Sequence, residues 1–142
     1  MTITGRTKIF GIIGNPVSHS LSPLMHNAAF AELDVDAVYV PFQVEDVAAA
    51  VAGIKGLSVS GASVTIPHKE AVIPYLDEID PVAANIGAVN TLHLAERQGG
   101  TILCGSNTDW IGANRALQEK TGLEGKRIII LGAGGSARAL GF

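Results

Sequence analysis

The sequence predicts an α/β fold, a mostly parallel mixed sheet with helices on both faces and an edge hairpin, followed by the first βα unit of a second, truncated domain. Three features of the 142 residues carry this prediction. Short apolar runs alternate with helix-like runs in the order βαβαβα, the pattern of parallel strands joined by helical crossovers. Seventeen glycines stand against 16% charged residues, the balance of a chain rich in tight turns and close backbone approaches. Near the C-terminus an apolar run opens into the glycine-rich turn GAGGSA at 132–137.

The elements follow in order. Lys8 to Gly14 (KIFGIIG) reads as a buried strand, and NPVSHSLSP as a polar loop closed by Ser22-Pro23. Serine as N-cap and proline at the first helical position then start a helix over Pro23 to Leu33. Ala37 to Val44 is a second strand, in which Pro41, with no N–H to give a ladder, points to an edge or an irregular ladder. Glu45 and Asp46 put negative charge before an alanine-rich helix that Gly56 ends. Leu57 to Ile66 gives a third strand, with Val64 and Ile66 in the core and Thr65 on the opposite face. Residues 68–78 form a helix interrupted at Pro74, and Asp80-Pro81 is another capped start. Ala88 to Ala95 and Thr101 to Gly105, joined by ERQGG, form an antiparallel hairpin on the sheet edge. Asp109 to Lys120 is a helix closed by Gly122. Last, KRIIILGAGGSARA is a buried strand running into a glycine loop and helix, which matches G-x-G-x-x-A in the strand-to-helix context of a dinucleotide-binding Rossmann domain.

Composition excludes several classes. A formal charge of −3 gives no basic footprint for nucleic acid. The run Ile128 to Leu131 is too short to cross a bilayer, and residues 1–15 lack a signal-peptide pattern, so no membrane partner and a cytoplasmic location are expected. Cys104 is the single cysteine, which fits a reducing compartment and a packing role. His19 and His26 have no acidic or cysteine partner at zinc spacing, so no metal site is expected. His68 is expected to face away from Lys69, and His93 to lie on the surface.

Four polar stretches follow predicted strands: GNPVSHSLSPLMHN at 14–27, SVTIPHK at 63–69, GAVNT at 87–91 and SNTDWIG at 106–112. In an open α/β sheet such loops meet at the carboxyl ends of the strands, the usual ligand crevice. Reducing a ketone by hydride transfer puts negative charge on its oxygen, so a lysine such as Lys69 suits the proton donor's place. Asp109 can orient that amine and accept from a substrate hydroxyl, although SNTD before an apolar run also reads as a helix cap. Ser20 and Ser22 at a helix start can hold a carboxylate. Thr65 and Asn90 offer a hydroxyl and an amide to a ligand, whereas Asn107 and Thr108 read at least equally as local turn support.

These four stretches in this order, followed by GAGGSARA, strongly resemble shikimate dehydrogenase. The resemblance implies a two-domain enzyme that reversibly reduces 3-dehydroshikimate to shikimate with a nicotinamide cofactor, usually NADPH. It implies a substrate-binding domain over 1–105, a connector helix over 106–125 and the start of a dinucleotide-binding domain over 126–142. Lys69 and Asp109 become the catalytic pair, Ser20, Ser22, Thr65 and Asn90 the substrate ligands, and Gly132, Ala133, Gly134, Gly135, Ser136 and Ala137 the cofactor loop. NADP is the expected cofactor, with NAD open, because the discriminating residue falls about 20 residues past the glycine loop, beyond Phe142. The family usually carries asparagine where this sequence has Ser63. Serine offers fewer hydrogen bonds, which leaves quinate or another ring acid as an alternative substrate. A non-catalytic small-acid binding module is the other alternative. The fragment alone is expected to be inactive, and to self-associate through its C-terminal strand.

Overall fold

Residues 2–142 are described in a computed structural model. Its strands are β1 (Lys8–Gly14), β2 (Ala37–Gln43), β3 (Gly61–Val64), β4 (Glu78–Ile79), β5 (Thr91–Arg97) and β6 (Gly100–Ser106). Its helices are α1 (Ser22–Glu32), α2 (Val47–Gly56), α3 (His68–Ala71), α4 (Pro81–Ile86), α5 (Asp109–Gln118) and α6 (Gly135–Gly141), with a 3-10 turn at Ile73–Tyr75. One six-stranded sheet has the order β2-β1-β3-β5-β6-β4. Strand β1 is parallel to β2 and β3, β6 is parallel to β4, and β5 alone among them runs against its neighbours. The mixed α/β sheet predicted from the alternation is therefore present.

Both faces of the sheet carry helices. On one, Ile13, Val64, Leu92 and Leu103 pack with Val51 and Ile54 of α2, with Val72 and with Ala83 of α4. On the other, Ile12, Val17 and Tyr39 pack with Phe10 and with Phe30 of α1. Burial of these aliphatic and aromatic side chains, each worth about 1.5–3 kcal/mol, is the main stabilising term. A smaller cluster of Ile86, Ala88 and Ala139, with Val82 and Trp110 against it, joins α4, α5 and α6.

Several expectations need correction. The hairpin β5–β6 is not at the edge: β4 pairs outside it, Glu78 opposite Cys104 and Ile79 opposite Gly105. A two-residue strand is too short to show a period of two, so in sequence it is indistinguishable from the tail of a helix. Ser22 is the first helical residue and Leu21 the N-cap, so Pro23 sits at the second position. The first four helical N–H groups have no intrahelical partner, so proline fits either place equally. The third strand is shorter than Leu57–Ile66, because Ser58 takes φ 53° in a turn after α2. Ile66 is not in the core but 70% exposed. Residues 127–131 form no strand, and Ile129 and Leu131 are 87% and 93% exposed. A strand needs a ladder, and none of the described strands offers them one.

The placing of β2 at an edge holds. Of its outward backbone groups, the N–H and C=O of Tyr39 are both taken by the Asn27 amide, at 2.9 and 2.8 Å, and Pro41 has no N–H to expose. Cys104 is buried, and that burial pushes its thiol up, in keeping with a packing role. No helix among the described residues is long and apolar enough to cross a membrane.

Candidate active site

The site is built where the carboxyl ends of β1, β3 and β6 meet the glycine loop. Strand β3 ends at Val64, and its partner β1 continues to hold the exit: Thr65 donates its N–H to Ile13 O at 2.9 Å, and Asn15 donates to Ile66 O at 2.9 Å. Gly14 is needed there, because a Cβ on it would overlap the Thr65 methyl. The chain then turns into α3, which carries Lys69.

Lys69 Nζ lies 2.6 Å from Asp109 Oδ2, with side chains 13% and 30% exposed. The amine also donates to Ser136 Oγ at 3.1 Å. An ammonium has three donors, so one remains for a ligand. The other carboxylate oxygen, Asp109 Oδ1, accepts from Asn90 Nδ2 at 2.7 Å. Asp109 thus occupies the first turn of α5, where the helix dipole favours a negative charge, and also faces the amine. Of the capping and pairing roles that the sequence sets against each other, the Asp109 carboxylate takes the pairing one, its two oxygens accepting from Lys69 and Asn90. The N-cap residue, Thr108, makes no side-chain cap bond; the N–H of Asp109, the first free one of α5, is taken instead by Asn107 Oδ1 at 2.9 Å.

Asn90 has no spare donor in this arrangement. Its Nδ2 serves Asp109 and, at 3.0 Å, Thr108 Oγ1, while its Oδ1 accepts from the Thr108 N–H at 3.0 Å and from Thr91 Oγ1 at 2.7 Å. The Thr65 hydroxyl makes no hydrogen bond among the described residues, and neither does that of Ser22. Ser20 Oγ accepts from the Ser22 N–H at 3.3 Å. Lys69, Asp109, Asn90, Thr108 and Ser136 therefore form one hydrogen-bonded chain, and Ser20, Ser22 and Thr65 lie outside it. Sequence pattern had given Ser136 to a cofactor, and its contact with Lys69 had no signal, the two being 67 residues apart.

Ser63 is engaged. Tyr39 donates its hydroxyl to Ser63 Oγ at 2.7 Å, and burial raises the phenol above its ordinary value, which keeps that proton in place. His26 stacks on Tyr39 with ring centroids 4.3 Å apart. His68 faces away from Lys69, as expected, with Nε2 2.8 Å from Val44 O. His93 is exposed. The described residues contain no cluster of three or more metal-ligating side chains.

The glycine loop borders a cavity of about 390 Å³ that Ile66, Pro67, Lys69 and Glu70 line on the other side. Gly132 takes φ +115°, a backbone conformation that side chains other than glycine's rarely adopt. A Cβ on Gly135 would come within 3.1 Å of the Cβ atoms of Lys69 and Ala88. Bare backbone facing a cavity beside the amine fits a loop that a phosphate-bearing nucleotide approaches closely. Arg138 pairs with Glu70 at 3.1 Å, which offsets the one carboxylate on that wall.

Residues 12–92 match the family described as shikimate dehydrogenase substrate binding domain. The NADP(+)-dependent shikimate dehydrogenase of Methanothermobacter thermautotrophicus is 56% identical over 142 residues, covering 99% of this chain and 49% of that protein. A shikimate dehydrogenase crystallised with NADP+ superposes with a TM-score of 0.88 at 48% identity, over 98% of this chain and 48% of that one. The Listeria monocytogenes enzyme, solved with shikimate and NAD, gives 0.85 at 42% identity, over 99% and 48%. The chain spans about half the length of the curated relatives it matches.

Proposed function

Since the chain belongs to the shikimate dehydrogenase substrate binding domain family, we propose that it supplies the substrate and proton-transfer half of an enzyme that reversibly reduces 3-dehydroshikimate to shikimate. The observation that carries this reading is the Lys69–Asp109 pair at 2.6 Å beside the glycine loop. NADPH, when bound, supplies the hydride; Gly132, Ala133, Gly134, Gly135, Ser136 and Ala137 would hold it.

The chain's own groups handle the proton. Lys69 gives one N–H proton from Nζ to the oxygen that gains negative charge as the ketone is reduced, and is left as a neutral amine. In the reverse direction the amine takes the proton back from the hydroxyl. Asp109 keeps Nζ aimed at that oxygen and has lone pairs left to accept from a ring hydroxyl. Ser20 and Ser22 bind the substrate carboxylate, and Thr65 a ring hydroxyl. Asn90 joins them by exchanging its Thr108 contact for the substrate. Residues 1–105 act as the substrate-binding domain, 106–125 as connector and 126–142 as the opening of the nucleotide-binding domain, in a cytoplasmic enzyme.

One observation favours a second reading. With Ser63 Oγ already accepting from Tyr39, that position offers a ligand at most a single donor, so a ring acid with a different hydroxyl pattern, such as quinate, fits as well. Turnover of shikimate and quinate with NADP+ by the full-length protein separates the two. In that protein Lys69→Ala lowers kcat by roughly 10²- to 10⁴-fold, the range for loss of a general acid. Asp109→Asn also lowers it, and the double variant loses less than the product of the two. Undiminished turnover by Lys69→Ala would overturn the assignment.

A further inference from the structure

We propose that Asn107 is a positioning residue for the Lys69–Asp109 pair, acting through the strut Ala88–Asn90. The inference rests on the proposed roles of Lys69 and Asp109. Asn107 is 5% exposed and uses both ends of its amide: Nδ2 donates to Ala88 O at 2.9 Å, and Oδ1 accepts from the Asp109 N–H at 2.9 Å. The next residue of the strut, Val89, donates its N–H to the Lys69 carbonyl at 2.8 Å. The third, Asn90, donates Nδ2 to Asp109 Oδ1 at 2.7 Å. Three consecutive residues thus hold, in turn, the backbone of Asp109 by way of Asn107, the backbone of Lys69, and the carboxylate of Asp109.

The strut is a rigid reference. Ala88 and Val89 are wholly buried, and close-packed interiors do not yield by small shifts. Gly87 (φ +71°) closes α4 and sets the strut's entry. A helix cap needs only an oxygen acceptor, which serine or threonine supplies. What asparagine adds is the Nδ2 donor, and here it ties the start of α5 to a carbonyl on another segment. Without that tie the first turn of α5 can rotate and carry Asp109 away from Nζ, and a misplacement of about 1 Å in a reacting constellation can cost roughly 100-fold in rate.

The test is Asn107→Ser, which keeps an oxygen for the Asp109 N–H but is too short to reach Ala88 O; Asn107→Thr replaces it if the serine variant does not fold. In the full-length protein kcat falls about tenfold to 100-fold while the KM for shikimate stays within about twofold. Little further loss occurs on an Asp109→Asn background, because there is no carboxylate left to position. Independently of turnover, the ¹⁵N resonance of the Lys69 ammonium in the 142-residue chain moves toward its position in Asp109→Asn. An ammonium resonance unchanged from wild type, or equal kcat losses on both backgrounds, would make Asn107 a cap only. A wild-type enzyme that turns over neither ring acid would defeat the reaction assignment instead, and the ammonium resonance would still decide the role of Asn107.

Discussion

A hydroxyl at a helix start has two claimants, the unpaired backbone N–H groups and any anion that docks there. In this molecule the claims are divided: Ser20 Oγ accepts from the Ser22 N–H, yet keeps its own proton, and the Ser22 hydroxyl is uncommitted. Both can therefore donate to a carboxylate at once. Hydrogen bonds to a charged group contribute about 1.5–3 kcal/mol each, so losing both in Ser20→Ala with Ser22→Ala raises the KM for shikimate in the full-length protein by roughly 10²- to 10⁴-fold. The fall in kcat is much smaller, because carboxylate binding is made equally in ground and transition states. Steady-state kinetics over a range of shikimate concentration checks this, and an unchanged KM removes the serines from the site. At this scale the sequence was most legible where residue chemistry is scarce. Lysine at a strand exit is unusual enough to be singled out, whereas aspartate at a helix start reads first as a cap and is picked out only through the family resemblance; the two meet although 40 residues separate them. Asn107 and Ser136 were not legible as partners of that pair, because asparagine beside a helix start and serine in a glycine loop have ordinary local uses that mask a distant contact.

The elements follow the alternation of apolar and polar runs, which is why β1, β2, α2 and the hairpin lie close to where sequence puts them, while β4 does not. Strand β4 is held less by its own two residues than by Asp77 just before it. The Asp77 carboxylate accepts from the Leu103 N–H at 2.7 Å and from Lys55 Nζ at 2.7 Å, joining β6, α2 and the start of β4. The Leu103 N–H, and then Lys55, hold this carboxyl below its ordinary value. A carboxyl depressed by folding adds stability at pH values above its unfolded pKa, and that contribution is lost as pH falls through the lower folded value. Asp77→Asn therefore unfolds at lower urea than wild type near neutral pH, and the difference narrows as pH falls below about 3.9. Urea titrations across that range check the sign, and a gap that is constant with pH would mean the charge is not involved. The opposite edge calls for a different test. Asn27 covers the outward N–H and C=O of Tyr39, so Asn27→Ala uncovers a strand edge and promotes association, visible as a concentration-dependent sedimentation coefficient.

For the molecule as a whole, what sequence could not supply was the company its C-terminal segment keeps. The pattern KRIIILGAGG reads correctly as a strand entering a glycine loop only where other strands are present to pair with it, and strand formation is a property of the ladder as much as of the residues. In the 142-residue chain, α6 settles instead against α4 and α5, with Phe142 edge-on to Trp110 at 5.7 Å, and Ile128, Ile129 and Leu131 are exposed. An apolar run with unpaired backbone invites a second copy. This chain on its own is therefore expected to self-associate through residues 126–142, and Ile129→Lys to return it toward the monomer, both read by sedimentation velocity. It is also expected to bind shikimate weakly and to lack dehydrogenase activity with NADP+ or NAD+. The proposed roles of Lys69, Asp109 and the serines need no further residues, but residues 126–142 would supply only the start of a dinucleotide site, and hydride transfer depends on holding the nicotinamide against the substrate. Robust turnover by a strictly monomeric 142-residue chain would contradict both expectations, since it would mean that the exposed apolar segment needs no partner and that the proton-transfer half performs the whole reaction.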